Sequence, residues 1–250
     1  MSDPKKHHYI PQFYLSKWIS DENEKFQYHY WIENRFISSK ISAKNTAFEY
    51  YLYSLENVPK EQKQAIEKFL NNNIDAPAAI AMNEILSDGI INLTEEMYFN
   101  WAKFLISLRY RGSRFIKKVR LEGIEAMEKI LVESQEEYES LKGPDDPPTF
   151  LDFSNETYPD RIPNFGISTL SDWMCNSKVL NEICNMHWWV MDLGGTGYSL
   201  LTSDHPCIYI RGIKDSNCLI ALPLSPSKIF FAVNNSNLVK KGLLPKPKRK

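Results

Sequence analysis

Two histidines stand side by side in the densest stretch of the chain, KKHHYIPQFYL from Lys5 to Leu15. Imidazole titrates nearest neutral pH, which suits it to general-base work or to ligation, so His7 and His8 are catalytic candidates. Pro11 disfavours the α region for the residue before it, and His7 to Ile10 therefore reads as extended. Neighbours in an extended segment point to opposite faces, so only one of the two histidines faces a given pocket, and a metal clamp made from both is disfavoured. Gln12 and Tyr14 are binding candidates on the short helix that Pro11 opens, predicted over about Pro11 to Ile19. A cation and an acid complete the set. Arg111 falls inside an apolar stripe, where a charge is costly unless it snorkels to water or meets a buried anion, either Asp204 or a ligand phosphate or carboxylate. Arg114 lies three residues on, on the adjacent part of the same predicted helix face, while Arg109 points the other way. Asp204 sits in Thr202–Pro206 (TSDHP), a polar knot at a strand end, with Ser203 beside it as a further binding candidate. Each has a bland alternative: a hydrogen-bonded anchor for one histidine, a salt-bridged helix face for the arginines, and an Asx or Ser/Thr turn for Asp204. No GxSxG elbow accompanies Ser203.

The elements that must position these residues follow from periodicity. Lys25 to Ile32 and Arg35 to Ile41 alternate about a Glu33–Asn34 turn and predict a β-hairpin, with His29 a structural strand residue. Phe48 to Leu55 fits either a short strand or a helical turn. Lys60 to Asn71 and Ala76 to Leu86 are spaced as helices, Pro77 standing near the start of the second. Thr94 is an N-cap candidate for the longest run, which carries Met97, Trp101, Phe104, Leu108, Phe115 and Val119 and continues through Glu122 to Leu141, broken or kinked around Gly123. The proline- and aspartate-rich segment from Gly143 to Pro163 predicts a long irregular loop. Another helix is predicted over Phe165 to Met186. After it, His187–Leu193, Tyr198–Thr202, Cys207–Arg211, Cys218–Leu224 and Lys228–Val233 read as an antiparallel meander. The fold class is therefore α+β: a helical middle, an antiparallel sheet toward the C-terminus, and an N-terminal hairpin that could add to that sheet. One domain over 1–237 is expected, with two lobes as the alternative, followed by a basic, disordered tail at 238–250.

Composition narrows the function classes. Hydrophobic residues at 43% and charged residues at 24% are ordinary for a soluble globular chain of 250 residues, long enough to bury a core without staples. The net charge of −1 conceals an asymmetry: Lys240, Lys241, Lys246, Lys248, Arg249 and Lys250 give the last 11 residues six positive charges and leave the remainder at −7. An acidic body argues against a nucleic-acid-coating surface, while the tail suits weak contacts with nucleic acid or another acidic partner. Cys175, Cys184, Cys207 and Cys218 show no metal spacing and read as reduced and mostly buried, and no window is apolar enough to span a membrane; a cytoplasmic location follows. GGTG at Gly194–Gly197 lacks the Lys-Ser/Thr and strand-to-helix setting of a phosphate loop, so no cofactor is assigned.

HHYIPQFYLSKW resembles the opening signature of the bacterial family called domain of unknown function 4238. RYRGSRF at Arg109–Phe115 resembles that family's mid-chain arginine pair, LLTSDHP at Leu200–Pro206 its Thr-Ser-Asp-x-Pro block, and ALPLSP at Ala221–Pro226 its Pro-Leu-Ser-Pro block. The resemblance places Arg111, Arg114 and Asp204 on family positions, leaves His205 in a variable slot, and implies no activity. Members usually run past the last block, so a missing C-terminal segment is an expectation. Two functional readings remain. In one, the chain is a hydrolase of phosphodiester or similar bonds, with a histidine as base or ligand, Asp204 orienting it or holding a metal, and the arginines stabilising anionic charge. In the other, it is a non-catalytic binding or regulatory module in which the same residues form a buried polar network.

Overall fold

The computed structural model describes residues 5–20 and 22–235, and the basic tail from Lys240 lies outside them. The chain is α+β. Its described residues divide into two compact units, each assembled from separate stretches: those within 1–7, 49–70 and 113–174 form one, and those within 8–48, 71–112 and 175–250 the other.

The second unit holds most of the strands. It begins within β1 (Lys6–His8), which pairs with β4 (Phe48–Tyr50), and continues into α1 (Gln12–Leu15), a short helix that a 3₁₀ turn prolongs from Ser16 to Trp18. The predicted hairpin is β2 (Lys25–Ile32) and β3 (Arg35–Ser42), in register from Lys25↔Ser42 to Ile32↔Arg35. Glu33 and Asn34 both take positive φ, at 45° and 63°, the backbone of a two-residue turn whose twist matches its strands. This hairpin is a sheet of its own and adds nothing to the C-terminal one. That sheet comprises β5 (His187–Asp192), β6 (Ile208–Ile210), β7 (Leu219–Pro223) and β8 (Lys228–Val233), all antiparallel in the order β5-β8-β7-β6. The expected strand over Tyr198–Thr202 is irregular chain, so β5 joins beside β8 and the meander covers β6 to β8 only. One face of the sheet packs on α4 (Glu95–Tyr110), where Trp101, Trp188 and Phe230 meet edge to face at ring separations of 5.2–5.7 Å. Thr94 caps α4 as expected, its Oγ1 accepting from the Met97 N–H at 3.3 Å. Of the four cysteines, all unbridged, only Cys218 is buried.

One helical stretch is continuous in the chain in three parts, α2 (Ala65–Phe69), a π-helical segment Leu70–Asp75, and α3 (Ala76–Asp88). Pro77 cannot donate a backbone hydrogen bond and crowds the carbonyl four residues back; the wider π turn just upstream gives its ring room, so the two predicted helices run on as one.

The first unit is helical: α5 (Ser113–Glu133), α6 (Gln135–Leu141), α7 (Phe150–Thr157), α8 (Arg161–Ser168) and α9 (Leu170–Met174), with α10 (Ser177–Cys184) falling in the second unit. Three expectations fail here. The long run breaks at Arg111–Gly112, not near Gly123, which lies buried inside α5 against α8: a Cβ built on Gly123 would sit 2.4 Å from Gly166 Cα, and one on Gly166 2.0 Å from the Val119 carbonyl oxygen. Two glycines at a helix crossing let the backbones touch; neither marks a break. The segment Gly143–Pro163, expected as a loop, contains α7 and the start of α8. Its prolines sit where helices tolerate them: Pro147 and Pro148 precede the Thr149 cap, Pro159 separates the helices, and Pro163 falls in the first turn of α8. Thr149 Oγ1 accepts from the Asp152 N–H at 3.0 Å. Phe165–Met186 is likewise three short helices, not one.

Candidate functional site

Arg111 is the centre of the second unit's polar interior. It ends α4 as its C-cap, with its own N–H bonded to the Ser107 carbonyl at 2.9 Å, and is about 1% exposed. The anion it meets is Asp75, the last residue of the π segment: Nη1 reaches Oδ1 at 2.6 Å and Nη2 reaches Oδ2 at 3.1 Å, a bidentate fork that matches the planar guanidinium. Nη2 also donates to the His8 carbonyl at 2.9 Å. Asp204 is therefore not the partner, and the link between His8 and Arg111 runs through backbone, not imidazole. Because the helix ends at Tyr110, Arg114 no longer shares a face with Arg111; it is exposed in the first turn of α5.

Tyr14 is the second fixed point. Wholly buried, its hydroxyl donates to the Pro223 carbonyl at 2.7 Å and shares a hydrogen bond with Thr202 Oγ1 at 2.8 Å. Burial drives its phenol far above the ordinary range, outweighing the opposing effect of Thr202, so it is a neutral donor. One side chain thus ties α1 to the start of the Thr-Ser-Asp-x-Pro turn and to the end of β7. That turn also lies against the end of α4, since a Cβ on Gly112 would stand 3.8 Å from the His205 ring. Tyr14→Phe is expected to destabilise the chain by about 1–3 kcal/mol, because a buried carbonyl loses its donor while packing is retained; urea unfolding measures it, and an unchanged midpoint would remove Tyr14 from this role.

The remaining candidates separate. His7, in the first unit, is fully buried, with its ring stacked on Tyr53 at 5.5 Å and its Nδ1 accepting the Tyr53 N–H at 2.9 Å. Accepting there places the ring proton on Nε2. His8 alternates to a part-exposed position, its Nε2 3.4 Å from the Lys44 carbonyl and its ring tilted on Phe48. Gln12 and Asp204 are exposed. Ser203 closes a Ser/Thr turn, its Oγ accepting from the His205 N–H at 3.1 Å, so the local turn is built on the serine and not on Asp204. Among the described residues no three His, Cys, Asp or Glu side chains converge as a metal site would need.

Two concavities lie apart from these residues. One of about 490 Å³ in the second unit is bordered by Glu95, Tyr98, Asn181 and Cys184, whose thiol burial pushes up to about 11 and so keeps un-ionised at neutral pH. The other, about 560 Å³ in the first unit, is bordered by Tyr51, Glu56, Lys63 and Arg120. Burial lowers the Arg120 guanidinium and Glu56 raises it; its Nη2 donates to the Leu52 and Ser54 carbonyls at 3.3 and 2.6 Å. Sequence reasoning missed Asp75, Thr202 and Arg120. Asp75 had one signal, an acid two residues before a proline in an otherwise neutral Asn-Asn-Asn-Ile run; Arg120 had none, being one of many charges on a helix surface.

The fold and this interior define an α+β protein with four sequence blocks cross-tied in one unit: His8 to Arg111, Tyr14 to Thr202 and Pro223, and Gly112 against His205. Residues 6–246 match the family model described as Protein of unknown function (DUF4238), and the chain belongs to that family. No curated protein matches, and no solved structure does. No helix among the described residues is long and apolar enough to cross a membrane.

Proposed function

We propose that the chain is a non-catalytic binding module whose signature residues form an internal lock, fixing the surfaces it presents. The observation that carries this reading is the engagement of Arg111: both terminal nitrogens of its fork are closed on Asp75 and on the His8 carbonyl, in a position about 1% exposed that opens no face to a substrate anion. Tyr14 and Arg111 are then lock residues and His7 is a separate buried anchor on Tyr53, while Gln12, Arg114, Ser203 and Asp204 belong to the surface. The family match carries no activity, so the hydrolase alternative gains nothing from it. Residues 1–237 are taken as one family domain, because the match at 6–246 runs through both units, with 238–250 as a basic tail whose first nine residues the match also takes in. A bacterial, cytoplasmic setting goes with this reading, supported by four unbridged cysteines.

The test separates structure from chemistry. Asp204→Ala and His8→Ala are expected to melt near the wild type, within about 0.5 kcal/mol for exposed Asp204, and the wild type is expected to show no turnover of a nitrophenyl phosphodiester with or without magnesium or manganese. Turnover that disappears in either variant at unchanged melting temperature would overturn the proposal and restore a catalytic site.

A further inference from the structure

The β2–β3 hairpin presents one face that no part of the lock uses. Its alternation places Lys25, Gln27, His29 and Trp31 of β2 on that face, opposite Ser42, Lys40, Ser38 and Phe36 of β3. The other face, with Phe26 buried and Tyr28 and Tyr30 half-buried, turns inward. On the outward face Trp31 is 70% and Phe36 58% exposed, and the rings support one another: His29 stacks on Phe36 at 5.3 Å with planes 10° apart, and Trp31 meets Phe36 at 5.3 Å. Gln27 bonds Ser38 across the strands and pins the register beneath them. Exposed rings held rigid on a ribbon are uncommon without a partner. The same face carries two lysines and no acid, and from Lys25 to Lys44 there are four basic residues against one acidic, in a chain whose net charge is −1.

We infer that this face binds single-stranded nucleic acid, with bases stacking on Trp31 and Phe36 and backbone phosphates meeting Lys25 and Lys40. The inference rests on the binding-module reading and names its partner class. Rings give a sequence-tolerant stacking platform, and set-back ammonium groups supply the phosphate contacts, the combination that single-strand binders use. Two other occupants fit less well. A second copy would bring lysines against lysines. A membrane would have to accept the hairpin tip first, where Glu33 and Asn34 are exposed. The acidic balance of the body is no obstacle, since it speaks against coating by nucleic acid and not against one basic ribbon face.

Fluorescence anisotropy of the full chain with a fluorescein-labelled oligothymidylate of about 15 nucleotides, a length that spans a typical single-strand site, tests this; an oligoadenylate RNA arm distinguishes DNA from RNA. Binding is expected at low salt, weakened about ten-fold or more in Trp31→Ala/Phe36→Ala. In Lys25→Ala/Lys40→Ala the slope of log affinity against log salt should become shallower by about 0.7 per lysine. Both variants should melt as the wild type does; Lys40→Glu, an exposed single change, keeps the test available if the ring variant misfolds. No binding to either oligomer, or binding indifferent to the rings, overturns the inference. So does ring-dependent association with phosphatidylserine vesicles, or ring-dependent dimerisation, in place of oligonucleotide binding. None of these results bears on the lock, whose failure would show as turnover lost in Asp204→Ala or His8→Ala.

Discussion

Gly166→Ala should lower stability by about 3 kcal/mol or more, at the upper end of what overpacking costs, although the same change in an isolated helix would be favourable by about 1 kcal/mol. The sign reversal comes from the α5–α8 crossing. A Cβ on Gly166 would lie 2.0 Å from the Val119 carbonyl oxygen, and 2.9 Å from its carbon. Both are backbone atoms, so no side-chain rotation relieves the overlap and the helices must part, opening contacts around Ile116, Ile162 and Ile167, all of them buried. Gly123→Ala meets Gly166 Cα at 2.4 Å and Gly166 N at 2.5 Å and is expected to cost as much. In a chain of this size the change corresponds to a fall in melting temperature of roughly 6–12 °C, readable by circular dichroism at 222 nm. A variant that melts at or above the wild-type temperature, as helix propensity alone dictates, would mean that the helices do not cross at these glycines.

Arg111→Met is expected to cost about 3–5 kcal/mol, because it leaves the Asp75 carboxylate buried without its counter-charge. The side chains of the pair are 2% and 12% exposed, so solvent cannot replace the missing partner, and the His8 carbonyl loses a donor as well. The double variant Asp75→Leu/Arg111→Met removes both charges and should lose less than the sum of the single changes, since an apolar pair of similar volume often replaces a buried ion pair at little cost. Arg111→Lys keeps the charge but cannot close a fork on two carboxylate oxygens and bond a carbonyl at the same time, which places it between the wild type and the methionine variant. Urea midpoints for the wild type, Arg111→Met, Asp75→Leu and the double variant give the coupling directly. A loss under about 1 kcal/mol for Arg111→Met, the range of exposed pairs, would mean that the lock contributes little.

The elements that local chemistry dictates were legible in the chain itself. The β2–β3 hairpin follows from alternation and a Glu-Asn turn able to take positive φ; the start of α4 follows from Thr94; extended His7–His8 ahead of a helix follows from Pro11; and the strands over His187–Asp192 and Leu219–Val233 follow from their apolar β-branched and aromatic runs. These depend on interactions within a few residues, and composition registers them. Proline content alone hides the α7 and α8 helices, because a proline in a first turn or before a cap leaves a helix intact.

The site was legible only in part. Periodicity could say that Arg111 stands where an apolar stripe would bury it and so needs an anion, because burying a charge is costly whatever the fold. Which anion it finds is a matter of 36 residues of sequence separation, bridged by a π turn that no local pattern announces. The bond from Tyr14 to Pro223 spans 209 residues. A hydroxyl carries no mark of its acceptor, so the residues were readable as candidates while their pairing was decided by packing alone. The glycines at 123 and 166 show the same division. In the chain they are ordinary turn-formers; only when α5 and α8 are laid together does the absence of two side chains become the reason the helices meet.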